Sequence, residues 1–300
     1  MQRREFLTLP ASMQAPRMVG RTRFQLACMT LPYSPFPLER ALEGVKNAGY
    51  SYVAWGVNHR DSAGNNRPLL AVDAPAADAK QLSNRCRDMG LRPVMMFATV
   101  NLEAANAADA HKRRVDQAAA AGIPFLLTFG KTAKGEYDAF VRNLKAAALH
   151  AAQANVTIVI KQHGGNTATG ADCLKIVNEV AEPSVRICYD AGNVLDYENH
   201  DPIADIQTCY REIRAFAIKD HRNTPKDEDC GPGFGEIDHY KLLLPVMKLG
   251  HTMPLACENI FEPLVPRPRT PEEVDRLAQR AREFIETVLR GLESHLPAGL

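Results

Sequence analysis

The sequence has no C-x-x-C pair among its seven cysteines and no charge excess of either sign. It also has no apolar run approaching a membrane span, and no glycine fingerprint behind its first predicted strand. Each absence removes a class of function. Without paired cysteines, a zinc knuckle or a dithiol redox centre has no ligands. The odd, dispersed set Cys28, Cys86, Cys173, Cys188, Cys209, Cys230 and Cys257 reads as reduced, mostly buried thiols. The 36 basic side chains against 35 acidic ones leave a net charge of +1, so no chain-wide basic field exists to hold nucleic acid or an anionic membrane. The expected partner is a small molecule, neutral or singly charged, and composition leaves the number of subunits open. A membrane span takes roughly 18 apolar residues, more than any run here supplies.

What is present is one large core. At 45% hydrophobic, 300 residues suffice for a single domain, and a closed α/β barrel takes about 250 residues. The N-terminal Arg3-Arg4-Glu5-Phe6-Leu7 resembles the core of a twin-arginine export signal. Such a signal needs an apolar stretch of roughly 7–15 residues, and Pro10, Gln14, Pro16 and Arg17 interrupt it here. Residues 1–22 are therefore expected to be a vestigial leader or a mobile tail, and the location either cytoplasmic or reached by the twin-arginine route. The domain is expected over residues 23–300.

From Phe24 onward, short β-prone runs alternate with helical patterns, the sign of parallel βαβ units. Eight runs are expected as strands: Phe24–Leu31, Tyr52–Val57, Arg92–Phe97, Phe125–Phe129, Val156–Lys161, Val185–Tyr189, Ala215–Lys219 and Pro254–Glu258. Gly49, Gly90, Gly122 and Gly250 follow helical runs as end signals, and Thr270-Pro271-Glu272-Glu273 opens the last helix as a capping box. Eight repeats without a long insertion favour a single-domain (β/α)₈ TIM barrel over an open doubly wound sheet. Gly231-Pro232-Gly233-Phe234-Gly235 is glycine-rich but follows the seventh strand, and Pro232 removes an amide that a phosphate cradle would use; a tight loop is expected.

In a barrel the chemistry sits where strands end at the C-terminal face. Four ends carry polar residues: Lys161-Gln162-His163-Gly164-Gly165, Asp190-Ala191-Gly192-Asn193, Lys219-Asp220-His221 and Glu258-Asn259. Trp55, Asn58 and His59 close the second strand and offer a sugar-stacking wall, although Trp55 is equally well placed for the core. Lys131 closes the fourth strand.

The order Y-D-x-G-N, I-K-D, G-x-G-x-I-D and C-E, from Val156 to Glu258, resembles the xylose-isomerase-like sugar phosphate isomerases and epimerases, a superfamily that includes inosose dehydratases and endonuclease IV. The resemblance implies a (β/α)₈ barrel and one divalent metal, held by a glutamate, an aspartate, a histidine and a second glutamate. Two of those positions match, at Asp190 and Glu258. The other two fall on Lys161 and Ala217, and Asn193 stands where many relatives have a histidine. Because residues two apart on a strand share a face, His163, Asp190, His221 and Glu258 form an alternative ligand set for Mn²⁺ or Zn²⁺. Otherwise no metal binds, and Lys161 or Lys219 neutralises the carboxylates.

The expected chemistry is proton abstraction next to a carbonyl of a small carbohydrate. Glu258 is the first candidate base, a lysine of lowered pKa at 161 the second, and Lys219 a further catalytic candidate. His59, Asn193, His163 and Trp55 are expected to bind substrate. Two other readings stay open: a lyase or dehydratase of a keto-sugar or keto-glycoside, and a non-catalytic sugar-binding barrel. An endonuclease would need a basic binding face and a cluster of metal-binding side chains that the sequence lacks.

Overall fold

The computed structural model describes residues 20–294. Twelve strands form there. Eight, β1 (Arg23–Met29), β2 (Tyr52–Trp55), β5 (Arg92–Phe97), β6 (Phe125–Thr128), β7 (Thr157–Lys161), β8 (Val185–Tyr189), β9 (Ile213–Ile218) and β12 (Thr252–Cys257), close into a parallel barrel. The ring runs β1-β12-β9-β8-β7-β6-β5-β2, each strand beside its neighbour in sequence and β1 pairing with β12. These are the eight expected strands, with ends shifted by two residues or fewer. Two antiparallel hairpins sit at strand ends: β3 (Asn58–Arg60) with β4 (Asn66–Pro68), and β10 (Asp220–Arg222) with β11 (Glu228–Cys230). Sequence reading did not anticipate the hairpins. The twin-arginine motif lies outside the described residues. Residues 20–22 already join the barrel, since Thr22 Oγ1 donates to the Val246 carbonyl at 2.5 Å.

A parallel barrel strand is apolar on both faces because helices cover one and the barrel interior takes the other. The core is accordingly double. The inner part is built largely on small side chains, Ala27, Ala54, Val159, Cys188, Ala215, Ala217 and Ala256 among them, filled out by Met29, Met95, Phe97 and Leu127. The outer part joins strands to helices and holds the large side chains, Trp55, Tyr33, Tyr189, Phe140 and Phe216 among them. All seven cysteines are buried free thiols, as expected.

Helix ends follow the sequence signals. Thr169 and Asp172 form a complete capping box on the helix Gly170–Val180. Thr270 and Glu273 exchange the corresponding bonds at the start of the helix Pro271–Ser294. Gly122 closes the helix Ala107–Ala121 at φ +67°, a left-handed conformation that glycine takes without the steric cost a Cβ would bring. The glycine-rich loop is tight for a different reason: it wraps a buried carboxylate. Asp220 accepts from the backbone amides of Gly233 at 3.0 Å, Ile237 at 3.0 Å and His221 at 2.9 Å. Within the loop itself the Gly233 amide faces Asp220, while the Gly231 amide donates to the Phe261 carbonyl and the Phe234 amide to the Gly231 carbonyl.

Candidate active site

Four candidate side chains continue the inward face of their strands. Val159, Cys188, Ala217 and Ala256 belong to the barrel interior. Two residues further along stand Lys161, Asp190, Lys219 and Glu258, at the C-terminal ends of β7, β8, β9 and β12, four neighbours in the ring. Lys161 Nζ lies 2.7 and 2.9 Å from the two carboxylate oxygens of Glu258 and 2.9 Å from Asp190 Oδ2. The three side chains are 4%, 10% and 0% exposed, so one ammonium is shared between two carboxylates with almost no water.

Local structure fixes this arrangement. Asp190 is the N-cap of the helix Ala191–Glu198, its Oδ1 accepting from the Asn193 amide at 3.0 Å, which leaves Oδ2 for Lys161. Gln162 braces the same turn: its side-chain oxygen accepts from the Asp190 amide at 2.9 Å, and its carbonyl accepts from Asn193 Nδ2 at 2.6 Å. Lys219 Nζ reaches Asp229 Oδ2 at 2.5 Å, and Asp229 Oδ1 lies 3.1 Å from His221 Nδ1. The β10–β11 hairpin therefore carries Asp229 to the barrel mouth, a contribution sequence reading missed.

The charges push the two carboxyls apart. Burial raises Glu258, and although Lys161 opposes this, the net shift is upward. Burial also acts on Asp190, but there the ammonium groups of Lys161 and Lys219 win and hold it below the usual aspartate range. Burial would lower both lysines; for Lys161 the charges of Glu258 and Asp190 overcome it, and for Lys219 those of Asp190 and Glu258 do, so both ammonium groups are held above their ordinary value. That direction is opposite to what a lysine base requires, and it corrects the expectation that Lys161 carries a lowered pKa. His163 is lowered, first by burial and then by Lys161. Its Nδ1 stands 3.1 Å from the Gly130 carbonyl, which can only accept, so Nδ1 keeps the proton and Nε2 is left as an acceptor.

A cavity of about 290 Å³ opens at this cluster, lined by Lys161, Lys219, Glu258, His163, Asn193 and Tyr197, with Asp229, Asn259 and Phe261. The aromatic ring nearest His163 is Phe129, at 4.4 Å, with Tyr197 edge-on at 5.7 Å. A larger groove of about 440 Å³ along residues 262–277 contains none of the strand-end residues.

Two expected substrate ligands do not line the cavity. Trp55 is fully buried in the outer core, because its neighbour Ala54 is the inward residue of β2. His59 is buried, with Nδ1 3.1 Å from the Phe36 carbonyl and Nε2 3.0 Å from Thr30 Oγ1, so both ring nitrogens are engaged. His221 is also displaced from its expected place. β9 ends at Ile218 and the chain turns into the hairpin, so the two-residue spacing from Lys219 no longer holds and His221 faces Asp229.

The implied metal does not fit the residues present. A divalent cation would need the oxygens of Asp190 and Glu258 that Lys161 already holds, and Ala217 offers no donor. A separate group that could hold a metal ion is formed by Asp196, His221 and Asp229, with ligand atoms within 4.8 Å of one another; it includes the expected ligand His221, and the Lys219 ammonium also touches Asp229. No helix among the described residues is long and apolar enough to cross a membrane.

No curated protein matches the chain in sequence. Among solved structures, an L-ribulose 3-epimerase superposes with a TM-score of 0.69 at 16% identity, covering 92% of this chain and 96% of its own. A xylose isomerase-like TIM barrel protein from Mycobacterium smegmatis, in complex with magnesium, gives 0.69 at 13% identity, over 89% and 97% of the two chains. A probable 3-DHS dehydratase from Bacillus anthracis gives 0.63 at 12%, over 87% and 98%. At these identities the likeness is one of fold. The xylose isomerase-like TIM barrel family model matches residues 42–285, and the chain belongs to that family.

Proposed function

We propose that the protein is a sugar isomerase or epimerase that removes a proton next to a carbonyl of a small carbohydrate. The observation that carries this reading is geometric: of the two carboxylates held by Lys161, Glu258 lines the cavity while Asp190 is fully buried and does not, and the directions of their shifts, Glu258 raised and Asp190 lowered, agree with that division. Two titratable groups pushed apart in one pocket divide into a proton-transferring group and a fixed charge. Glu258 is the base. Asp190 stays ionised and anchors Lys161. The ammonium groups of Lys161 and Lys219 stabilise the negative oxygen of the enediolate in a site that excludes most water. His163 Nε2 and the Asn193 side chain hold sugar hydroxyls, and a cavity of about 290 Å³ suits a monosaccharide-sized ligand. The L-ribulose 3-epimerase among the structural neighbours is consistent with this substrate class.

After proton abstraction, the proton is returned to a substrate carbon, which gives isomerisation or epimerisation. A hydroxyl leaving from the next carbon instead gives elimination. One observation favours this second reading, a dehydratase of a keto-sugar: Lys161 ties both carboxylates together, so a pair of independent bases on opposite faces of a sugar carbon is not formed by Asp190 and Glu258. Incubation with a panel of keto-sugars and keto-glycosides, followed by NMR identification of products, separates the two. Isomers or epimers support the first reading and unsaturated products the second. Binding without turnover on any of them would leave a sugar-binding barrel and overturn both.

Lys219 also has a sequence requirement that can be tested. A Cβ on Gly192 would lie 2.6 Å from Lys219 Cε and 2.7 Å from its Cγ, with no room for either. Gly192→Ala is expected to displace the Lys219 stem and reduce kcat by up to about 10²-fold, the scale of an ångström-sized misplacement. Steady-state kinetics with a thermal melt checks this; an unaltered kcat in a folded variant would show that the ammonium's position is not used.

A further inference from the structure

We infer that the Lys161 side chain is a built-in replacement for a divalent cation, so that the barrel mouth excludes such an ion and the site operates with its own ammonium groups. The inference deepens the proposed function but rests on separate observations. Lys161 Nζ makes contacts of 2.7–2.9 Å with both Asp190 and Glu258, the two matching ligand positions, and these carboxylates come from different strands. A divalent ion binding the same oxygens at about 2.0–2.6 Å would be in contact with the ammonium, and two cations cannot share that space. The lysine is nearly fully buried, and its Nζ stands 5.9 Å from the Phe129 ring centre. The charge supplied is also equivalent. Lys161 and Lys219 together bring two positive charges to the mouth against Asp190 and Glu258, with Asp229 sharing Lys219 on its outer side.

The substitution that converts one kind of site into the other is then a single residue. Lys161→Glu removes the ammonium and adds a third carboxylate beside Asp190 and Glu258. Lys161→Met removes the ammonium alone and serves where the glutamate variant does not fold. The test is calorimetric titration of Mn²⁺ into chelator-stripped full-length protein, for wild type, Lys161→Glu, Lys161→Met and each combined with Glu258→Gln. The wild type is expected to show no Mn²⁺ site that depends on Glu258. Lys161→Glu is expected to gain a one-equivalent site about 100-fold tighter than any Mn²⁺ binding the wild type shows, because the number of charged ligands sets such affinities. Adding Glu258→Gln should remove that gain. Binding by Asp196, His221 and Asp229 would be told apart by its persistence in every variant carrying Glu258→Gln and its loss in Asp196→Asn.

A wild-type protein that binds one Mn²⁺ and loses it on Glu258→Gln would overturn the inference, and this arm needs no lysine variant to fold. So would folded lysine variants that bind no better than wild type. These readings require no turnover, so they stand or fall apart from the proposed reaction.

Discussion

Glu258→Gln is expected to lower kcat by about 10²–10⁴-fold, the range that a positioned general base contributes. The substitution keeps the volume and one hydrogen-bond acceptor for Lys161 but removes both the charge and the basicity. The barrel itself should persist, since Asp190 remains as a charged partner for the Lys161 ammonium and the packing of Ala256 and Cys257 in the two parts of the core is untouched. A second signature accompanies the loss. Glu258 acts only when ionised, and burial raises its pKa, so kcat/KM of the wild type should fall with decreasing pH through a limb lying above the ordinary glutamate value. Lys219 opposes that rise, so Lys219→Met should move the limb to higher pH. A limb at the ordinary glutamate value, or a Glu258→Gln enzyme with wild-type kcat, would place the base elsewhere.

Lys161→Met is expected to destabilise the fold by about 3–5 kcal/mol at neutral pH, the usual consequence of removing one partner from a buried ion pair. No discount for solvent is warranted, because Asp190 is fully buried and Glu258 nearly so. The pH dependence has a definite sign. Removing the ammonium takes away the charge that lowers both carboxyls, so both titrate higher in the folded variant than in the folded wild type, which at low pH narrows the difference between the two proteins. The deficit is then smallest below the unfolded carboxyl pKa and grows as pH rises through the folded values. Urea denaturation at pH 5 and pH 8 measures it: the variant's midpoint should lag the wild type more at pH 8. A lag of less than about 1 kcal/mol at both would mean that the pair is solvated like a surface one.

The barrel was legible because its signals are repeated: eight apolar runs at regular spacing, separated by helices with caps, leave few architectures open. Much of the candidate site was legible for a related reason. Lys161, Asp190, Lys219 and Glu258 are the polar residues that close apolar strands, and each lies two residues beyond an interior one. The parity of β2 was not readable. Tyr52–Trp55 is apolar throughout, and in a parallel strand both faces are buried, so nothing in the residues says whether Ala54 or Trp55 points inward. His221 was misplaced because its alignment assumed an extended strand, whereas β9 stops at Ile218 and the hairpin begins at Asp220. Asp229 had no sequence signal of its own, being one acid in the run Lys226-Asp227-Glu228-Asp229, and only the hairpin register opposite His221 brings it to Lys219. The sign of the Lys161 shift was also out of reach, because the same burial that lowers a lone lysine is outweighed once two carboxylates touch it.

Solvent deuterium incorporation tests the central claim most directly. A turned-over keto-sugar, incubated with the protein in D₂O and followed by NMR, should gain deuterium at a carbon next to the carbonyl at a rate tied to turnover, with Glu258→Gln abolishing both. Product that forms without any deuterium entering from solvent, or deuterium that enters as fast with Glu258→Gln as with wild type, would contradict proton abstraction by this glutamate.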